Sequence, residues 1–464
     1  MALSKSKGTT ASESSPGSPR RGEKPKSPAG KPIPGPSLFE ATTRLYPNPF
    51  NKFPTYLAEL TRRYGDVVLF KLPWRRFIVL NHPEQVKDML VTQQHAFVKS
   101  LGARTLRHLL GEGLLTSEEP HHRQMRRIVQ PAFHHQRVAN YAKTMRSIVE
   151  EWIASRLDGE RFDLHAAMSR LTLRIASITL FGVDAGGEAS EVREALSAAL
   201  EAYPRAVGPL AVIKESIGLS PVSREFIAAR EQLDRVIYGL VAARRADGSR
   251  GDDVLSMLLE AEDPETGYRL SDEQVRDEAM TLFLAGHETT ANALTWTWYL
   301  LSQHPDIEAR VHAEVDSGSE FEFTRRVFRE AMRLYPPAWI IGRETIRDVT
   351  LAGGYEVPAK TTVFTAPLIM HRHPELYPDP LRFDPDRWLE PEIPFAYIPF
   401  GGGARRCIGE EFAWMEATLA LGIIAKAAKL VFETSAPLEL QPLVTLRPKG
   451  DVPIRYVLRG VSRT

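Results

Sequence analysis

Apolar positions along this chain recur at helical spacing through its middle and at strand spacing near its two structured ends. Thr55 to Tyr64 carries Tyr56, Leu57 and Leu60 on one helical face. Asp66 to Leu72 and Arg76 to Leu80 are β-rich apolar runs around Pro73-Trp74-Arg75, which predicts a hairpin. His82-Pro83-Glu84 opens the next helix. From about residue 120 to 315 the pattern is mainly helical, with one helical pair interrupted by Pro204 and Gly208. Short strands return after 340, at Val349 to Leu351 and Thr361 to Phe364. Pro and aromatic residues crowd 374 to 400 and predict a long irregular meander. A last helix follows from about 408 to 429, then strands and turns. There is no repeat of 20–50 residues. The order is that of an α-rich α+β chain, mainly α, without regular βαβ alternation.

The longest apolar run, Ala279 to Leu301, holds Gly286, His287, Glu288, Thr289, Thr290 and Asn292 near its middle. A charge there is costly in lipid, so the run predicts a buried central helix and not a membrane anchor. Ser271 with Gln274 predicts a capping box at its start, and Pro305 lies beyond its end. About 30 residues at 1.5 Å each give a rod of about 45 Å, enough to cross a domain. Residues 1–36 are rich in Ser, Pro, Gly and Lys, with seven basic residues against two acids. Such a segment buries too little to offset its ordering entropy, which predicts a disordered tail ahead of one domain over 37–464. No apolar segment of a secretory signal follows the N-terminus, so the expected location is cytoplasmic.

The 464 residues are 43% hydrophobic and 25% charged, an ordinary globular balance with a formal charge of +1. That balance gives no support to nucleic-acid binding. The one cysteine, Cys407, excludes intrachain disulfides and Cys-rich metal sites, leaving a single thiolate ligand or nucleophile. It sits in Phe400-Gly401-Gly402-Gly403-Ala404-Arg405-Arg406-Cys407-Ile408-Gly409, just before the last helix. The glycines permit a backbone path closed to other residues. The helix N-terminus and two arginines favour a thiolate. None of the 13 His lies within thirty residues, which leaves both the nucleophile and the ligand reading open.

Phe400, Gly403, Arg405, Cys407 and Gly409 match Phe-x-x-Gly-x-Arg-x-Cys-x-Gly, the haem signature of the cytochrome P-450 family. Three further segments resemble that family in its order: Ala285-Gly286-His287-Glu288-Thr289-Thr290, Glu330-Ala331-Met332-Arg333 and Phe383-Asp384-Pro385-Asp386-Arg387-Trp388. The resemblance covers about residue 37 to the C-terminus. It implies the P-450 fold with a long central helix and small β-sheets. It also implies haem as cofactor, with Cys407 as the thiolate ligand of its iron and metal site. Gly401, Ile408 and Gly409 frame that ligand, and Phe400 packs beside it. Arg405, His122, Arg126 and Arg343 are implied partners of the haem propionates. Ala285 and Gly286 leave room for dioxygen, and Glu288 and Thr289 form an acid and alcohol pair that handles protons. Glu330, Arg333 and Arg387 are implied to be a structural network anchoring the cysteine segment. This chain departs from many members in having His122 where they have Trp, and in a short connection between Val315 and Glu330.

The activity so implied is monooxygenation of an apolar organic substrate, with Glu330 to Trp339 most like members acting on fatty acids and terpenoids. Electrons come from a separate ferredoxin or flavodoxin with its reductase, since no dinucleotide fingerprint is present. Arg405, Arg406 and Arg127 predict a basic face that steers such an acidic partner. The chain is expected to act as a monomer. Two rivals are a peroxide-using or isomerising haem-thiolate enzyme, which Glu288-Thr289 disfavours, and a non-catalytic haem sensor.

Overall fold

The computed structural model describes residues 30–460 apart from 46–48, 74, 185–187, 208–221, 248–250, 252, 264–265 and 435. Trp74 and Gly208 therefore lie outside the described residues, and so does most of the predicted tail. Residues 30–36, assigned by sequence to that tail, are held against the fold. The N–H of Lys31 donates to Gly354 O, and that of Leu69 to Pro34 O, at 2.9 and 2.8 Å. Alternating prolines pre-extend this segment, so little entropy is lost when it lies along a sheet.

The predicted hairpin is β1 (Val67–Leu72) with β2 (Arg75–Leu80). It joins β3 (Phe97–Lys99), β5 (Ile341–Thr345) and β8 (Thr362–Thr365) in a five-stranded sheet of order β1-β2-β8-β5-β3. In it Lys99 stands opposite Arg343. β4 (Arg161–Asp163) pairs with β12 (Pro453–Leu458), which also pairs with β9 (Ala428–Phe432). β6 (Val349–Leu351) with β7 (Tyr355–Val357), and β10 (Leu440–Pro442) with β11 (Leu446–Pro448), are two-stranded.

The central helix spans Asp272–Gln303, 32 residues, and opens with the expected capping box of Ser271 and Gln274. Almost its whole circumference is buried. It packs chiefly against the helix Leu164–Phe181, and also against Arg224–Asp247 and Glu322–Leu334. Pro204 lies inside a helix, Glu188–Ala206, instead of ending one. The short link before Glu330 is a tight corner between the helices Pro305–Ser317 and Glu322–Leu334. Gly318 at φ 75° ends the first. The Glu314 carboxylate caps the second, accepting from the N–H groups of Phe323 and Thr324 at 2.5 and 2.8 Å. The last helix is Glu410–Ala427. Among the described residues no helix is long and apolar enough to cross a membrane.

Candidate active site

Cys407 lies on the link between a turn of 3-10 helix, Gly403–Arg405, and the last helix. Its N–H donates to Phe400 O at 2.9 Å, closing the loop. Gly401 and Gly403 hold φ of 71° and 68°, and a Cβ on Gly403 would lie 1.9 Å from Leu90 O. No other residue fits there. Phe400 packs on Trp414 with ring centroids 5.8 Å apart, and Ile408 packs against the main core. The Cys407 side chain is exposed within an opening lined by Arg126, Phe133, Arg406 and Ile408. Contrary to the sequence expectation of a poised thiolate, its thiol is pushed up to about 11. Burial is the main cause, outweighing the Gly409 amide bonded to the sulfur and the nearby Arg126 and Arg406. A bound metal cation reverses that balance and deprotonates a thiol outright.

Beside this loop a cluster of cations gathers from four segments. Arg405 donates to Ser117 O at 2.8 Å and to Glu118 Oε2 at 2.6 Å. Arg343 is pushed down to about 10 by burial and by Arg405. Lys99, 5% exposed, is driven well below its ordinary value by burial, Arg343 and Arg405. His122 is pushed down to about 3 by burial and by Arg405, Lys99, Arg126 and Arg343. Arg126 reaches toward the cysteine loop, with Nη1 2.7 Å from Arg406 O. Glu118 is the carboxylate that recurs in the surroundings of Lys99, Arg343 and Arg405. Basic side chains gathered around one shared carboxylate make a place suited to an anion. Sequence reasoning missed Lys99 and Glu118. The one local signal is a lysine closing the apolar run Phe97-Val98, and only the pairing of β3 with β5 shows its use.

On the central helix, Ala285 is exposed and Gly286 and Thr289 are half-buried, among buried neighbours. Thr289 Oγ1 donates to Ala285 O at 2.7 Å. Gly286 departs from expectation in part. A Cβ there would meet Ala176 Cβ and Leu180 Cδ1 at 3.6 Å, so it faces the packed helix Leu164–Phe181. Glu288 also departs. Expected to exchange protons with water, it is 2% exposed. It accepts from Arg447 Nε at 2.5 Å, Thr445 Oγ1 at 2.8 Å and Asn292 Nδ2 at 3.0 Å. Burial alone raises a carboxyl, but Arg447 overrides it and brings Glu288 to about 2. Arg447 comes from β11, far along the chain, and the sequence offered no signal for it.

Glu330, Arg333 and Arg387 are brought together, the first two buried and Arg387 half-buried. Glu330 accepts from Arg333 twice at 2.8 Å, from Arg387 Nε at 2.9 Å, from Trp388 Nε1 at 3.1 Å and from Asp384 N at 3.1 Å. Arg333 then donates to His371 O and Pro380 O at 2.7 Å. His371, also missed, accepts from Ile398 N at 2.9 Å, two residues before Phe400. Burial drives it down to about 3, so it is a neutral acceptor.

The predicted basic face is largely neutralised. Arg405 turns inward to Glu118, Arg406 pairs with Glu410 at 2.6 Å, and Arg127 pairs with Asp263 at 3.1 Å.

Residues 28–452 match the family model described as Cytochrome P450. Among curated proteins, the cyclooctatin synthase of Streptomyces melanosporofaciens is 39% identical over 86% of this chain and 88% of its own length. The cyclooctat-9-en-7-ol 5-monooxygenase of the same organism is 36% identical over 81% and 84%. The pentalenene oxygenase of Streptomyces avermitilis is 33% identical over 89% and 93%.

Proposed function

The chain belongs to the cytochrome P450 family and is a haem-dependent monooxygenase, and from that premise we propose that it hydroxylates a terpenoid at a site built on Cys407, Ala285 and Thr289. The substrate class is supported by the printed names of its relatives, a cyclooctat-9-en-7-ol monooxygenase and a pentalenene oxygenase. Haem held by a thiolate supplies the activation of dioxygen, which with two electrons and two protons puts one oxygen atom into a C–H bond and releases the other as water.

The chain's own residues fit such a group. Cys407 offers one sulfur on a loop closed by its bond to Phe400 O, with the Gly409 amide tuning the sulfur and Phe400 packed on Trp414. Arg343 and Arg405 supply positive charge that two propionates need, Lys99 and the neutral His122 add hydrogen-bonding groups beside them, and Arg126 adds charge next to the sulfur. Ala285 gives space, and the Thr289 hydroxyl holds a proton within reach of that space. Glu330, Arg333 and Arg387 fix the segment that leads into the cysteine loop. Electrons reach the enzyme from a redox partner, and we take that partner to be a ferredoxin or flavodoxin.

The observation that carries the reading is the lone Cys407 thiol, held on its glycine-built loop beside a group of basic side chains gathered around Glu118. Its test is spectral. The purified holoprotein, reduced and exposed to carbon monoxide, is expected to give the absorbance of a thiolate-ligated haem, and Cys407→His to lose it. A histidine-type spectrum from the unaltered chain, or no uptake of porphyrin, refutes the assignment.

A further inference from the structure

The chain turns at Ile393-Pro394-Phe395-Ala396 on its way into the cysteine loop, and Ala396 N donates to Ile393 O at 3.0 Å to close the turn. Proline in the second place and a positive φ in the third mark a type II turn, whose third place calls for glycine. Here it holds Phe395 at φ 63°. Among the described residues Lys360, Asp379 and Phe395 are the non-glycine residues with positive φ, and Phe395 is the aromatic one. A bulky side chain in that region is strained. Such strain persists only where the surroundings hold it, and it gathers where function uses it.

The surroundings that hold Phe395 include the cysteine loop itself. Ile393 and Pro394 are exposed, while the ring of Phe395 turns inward and packs on the apolar cluster that contains Leu90 and Ile398. A Cβ on Gly402 would come within 3.2 Å of Phe395 Cε1 and 3.4 Å of Leu90 Cδ1. Gly402 is extended, at φ −163° and ψ 170°, a conformation open to any residue. Its missing side chain therefore serves the close approach of the Phe395 ring and Leu90, and not a backbone need like that of Gly401 and Gly403.

A push at Gly402 is felt at the sulfur. The loop from Phe400 to Cys407 is closed by the bond of Cys407 N to Phe400 O, so Gly402 cannot shift without changing where Cys407 stands. The floor of the loop is fixed from the neighbouring residues: Leu90 O lies against Gly403, and Gln94 Oε1 accepts from Ala404 N at 3.4 Å. On the lead-in, His371 holds Ile398 N at 2.9 Å, three residues after Phe395. Groups around a metal ligand orient it, and loosening them weakens the bond to the metal. A glycine at 395 would suit the turn better but would leave Gly402 without its seat.

We propose that Phe395 is a positioning residue for the Cys407 thiolate: it keeps a strained turn so that its ring seats Gly402 and holds the sulfur where it ligates haem iron. This rests on the haem-thiolate reading of Cys407 and adds to it a residue that lies before the cysteine motif. Phe395 touches neither substrate nor haem in this role. It acts through Gly402 and the closed loop.

The test follows the reduced, carbon-monoxide-bound holoprotein as its absorbance passes from the thiolate type to that of a haem without thiolate ligation. In Phe395→Gly this conversion is expected to quicken about ten-fold, although the turn is eased and the haem content as purified is kept. Phe395→Tyr, which keeps the ring, is expected to stay below about three-fold. Gly402→Ala is expected to quicken conversion in the unaltered background and to add nothing in a Phe395→Gly background, because the ring it meets is gone. If Phe395→Gly takes up no haem, Phe395→Leu replaces it in both comparisons. Conversion quickened less than about three-fold without the ring overturns the proposal. So does a Gly402→Ala effect of equal size with and without the ring, or conversion as fast in Phe395→Tyr as in Phe395→Gly. A lowered thermal midpoint with unchanged conversion assigns Phe395 to the fold alone and also overturns it. All these outcomes leave Cys407 as the ligand. An unaltered chain that never shows the thiolate-type absorbance removes the Cys407 reading, and this proposal with it.

Discussion

Glu288 and Thr289 are adjacent in sequence and opposite in circumstance. Thr289 keeps accessible surface, while Glu288 is sealed against Arg447, Thr445 and Asn292. At neutral pH Glu288 is a carboxylate with no proton to give. Its part in the chain is to tie the central helix to β11. The two variants should therefore separate. Thr289→Ala is expected to retain haem and stability but to divert reducing equivalents into peroxide, read as a lower ratio of product to NAD(P)H consumed. Glu288→Gln leaves Arg447 buried without its counter-charge, a loss of about 3–5 kcal/mol, read as a lowered Tm with the coupling ratio little changed. The reverse pattern would return Glu288 to the role of proton carrier. The motif was legible in the sequence because acid and alcohol are neighbours there. The partner that decides the acid's role was not, because Arg447 arrives from a strand near the other end of the chain. Lys99 is the same case: it meets Arg343 only through strand register.

Between elements, one helical surface is built from packing and another from charge, and each predicts a different tolerance. Gly286 lets the central helix approach Leu164–Phe181, yet a methyl group there meets its neighbours at ordinary contact distance. Gly286→Ala is thus expected to fold and bind haem normally, with a gain of up to about 1 kcal/mol from helix propensity, measured by denaturation. A collapse in haem content would place Gly286 at the oxygen side after all. Glu330 is the contrary case. Its carboxylate accepts from groups of both the helix Glu322–Leu334 and the meander around Asp384–Trp388. Glu330→Ala removes the counter-charge of the buried Arg333 and the half-buried Arg387 and should cost about 3–5 kcal/mol. The expected readout is protein with little haem, and full haem occupancy would refute it. Most elements were legible from periodicity and caps: the hairpin, the central helix with its capping box, the last helix. The three-residue strand β4 was not, since it is fixed by pairing with β12 from the far end of the chain.

For the whole molecule the question is how a redox partner finds the face nearest Cys407. Three arginines in sequence suggest a basic patch, and their placement removes most of it. Arg405 points inward to Glu118, Arg406 is matched by Glu410, and Arg127 by Asp263. The opening at Cys407 shows Arg126 and Arg406 beside Glu410 and Glu411, so charges of both signs alternate over a short distance. Such a surface projects little field beyond a few ångströms, because opposite contributions cancel before screening acts. Between about 0.01 M and 1 M salt the Debye length shrinks from about 30 Å to about 3 Å. Electrostatically steered pairs lose roughly 10- to 10³-fold in association rate over such ranges. For this chain the fall in the rate of reduction by an acidic ferredoxin should be less than about three-fold, because a mixed face has little long-range attraction to lose. Docking then depends on short-range fit around the opening, where Arg406→Glu should matter by breaking its pair with Glu410. A steep salt dependence in the unaltered protein would instead require an unmatched basic surface elsewhere on the molecule, and would move the docking site away from Cys407's side.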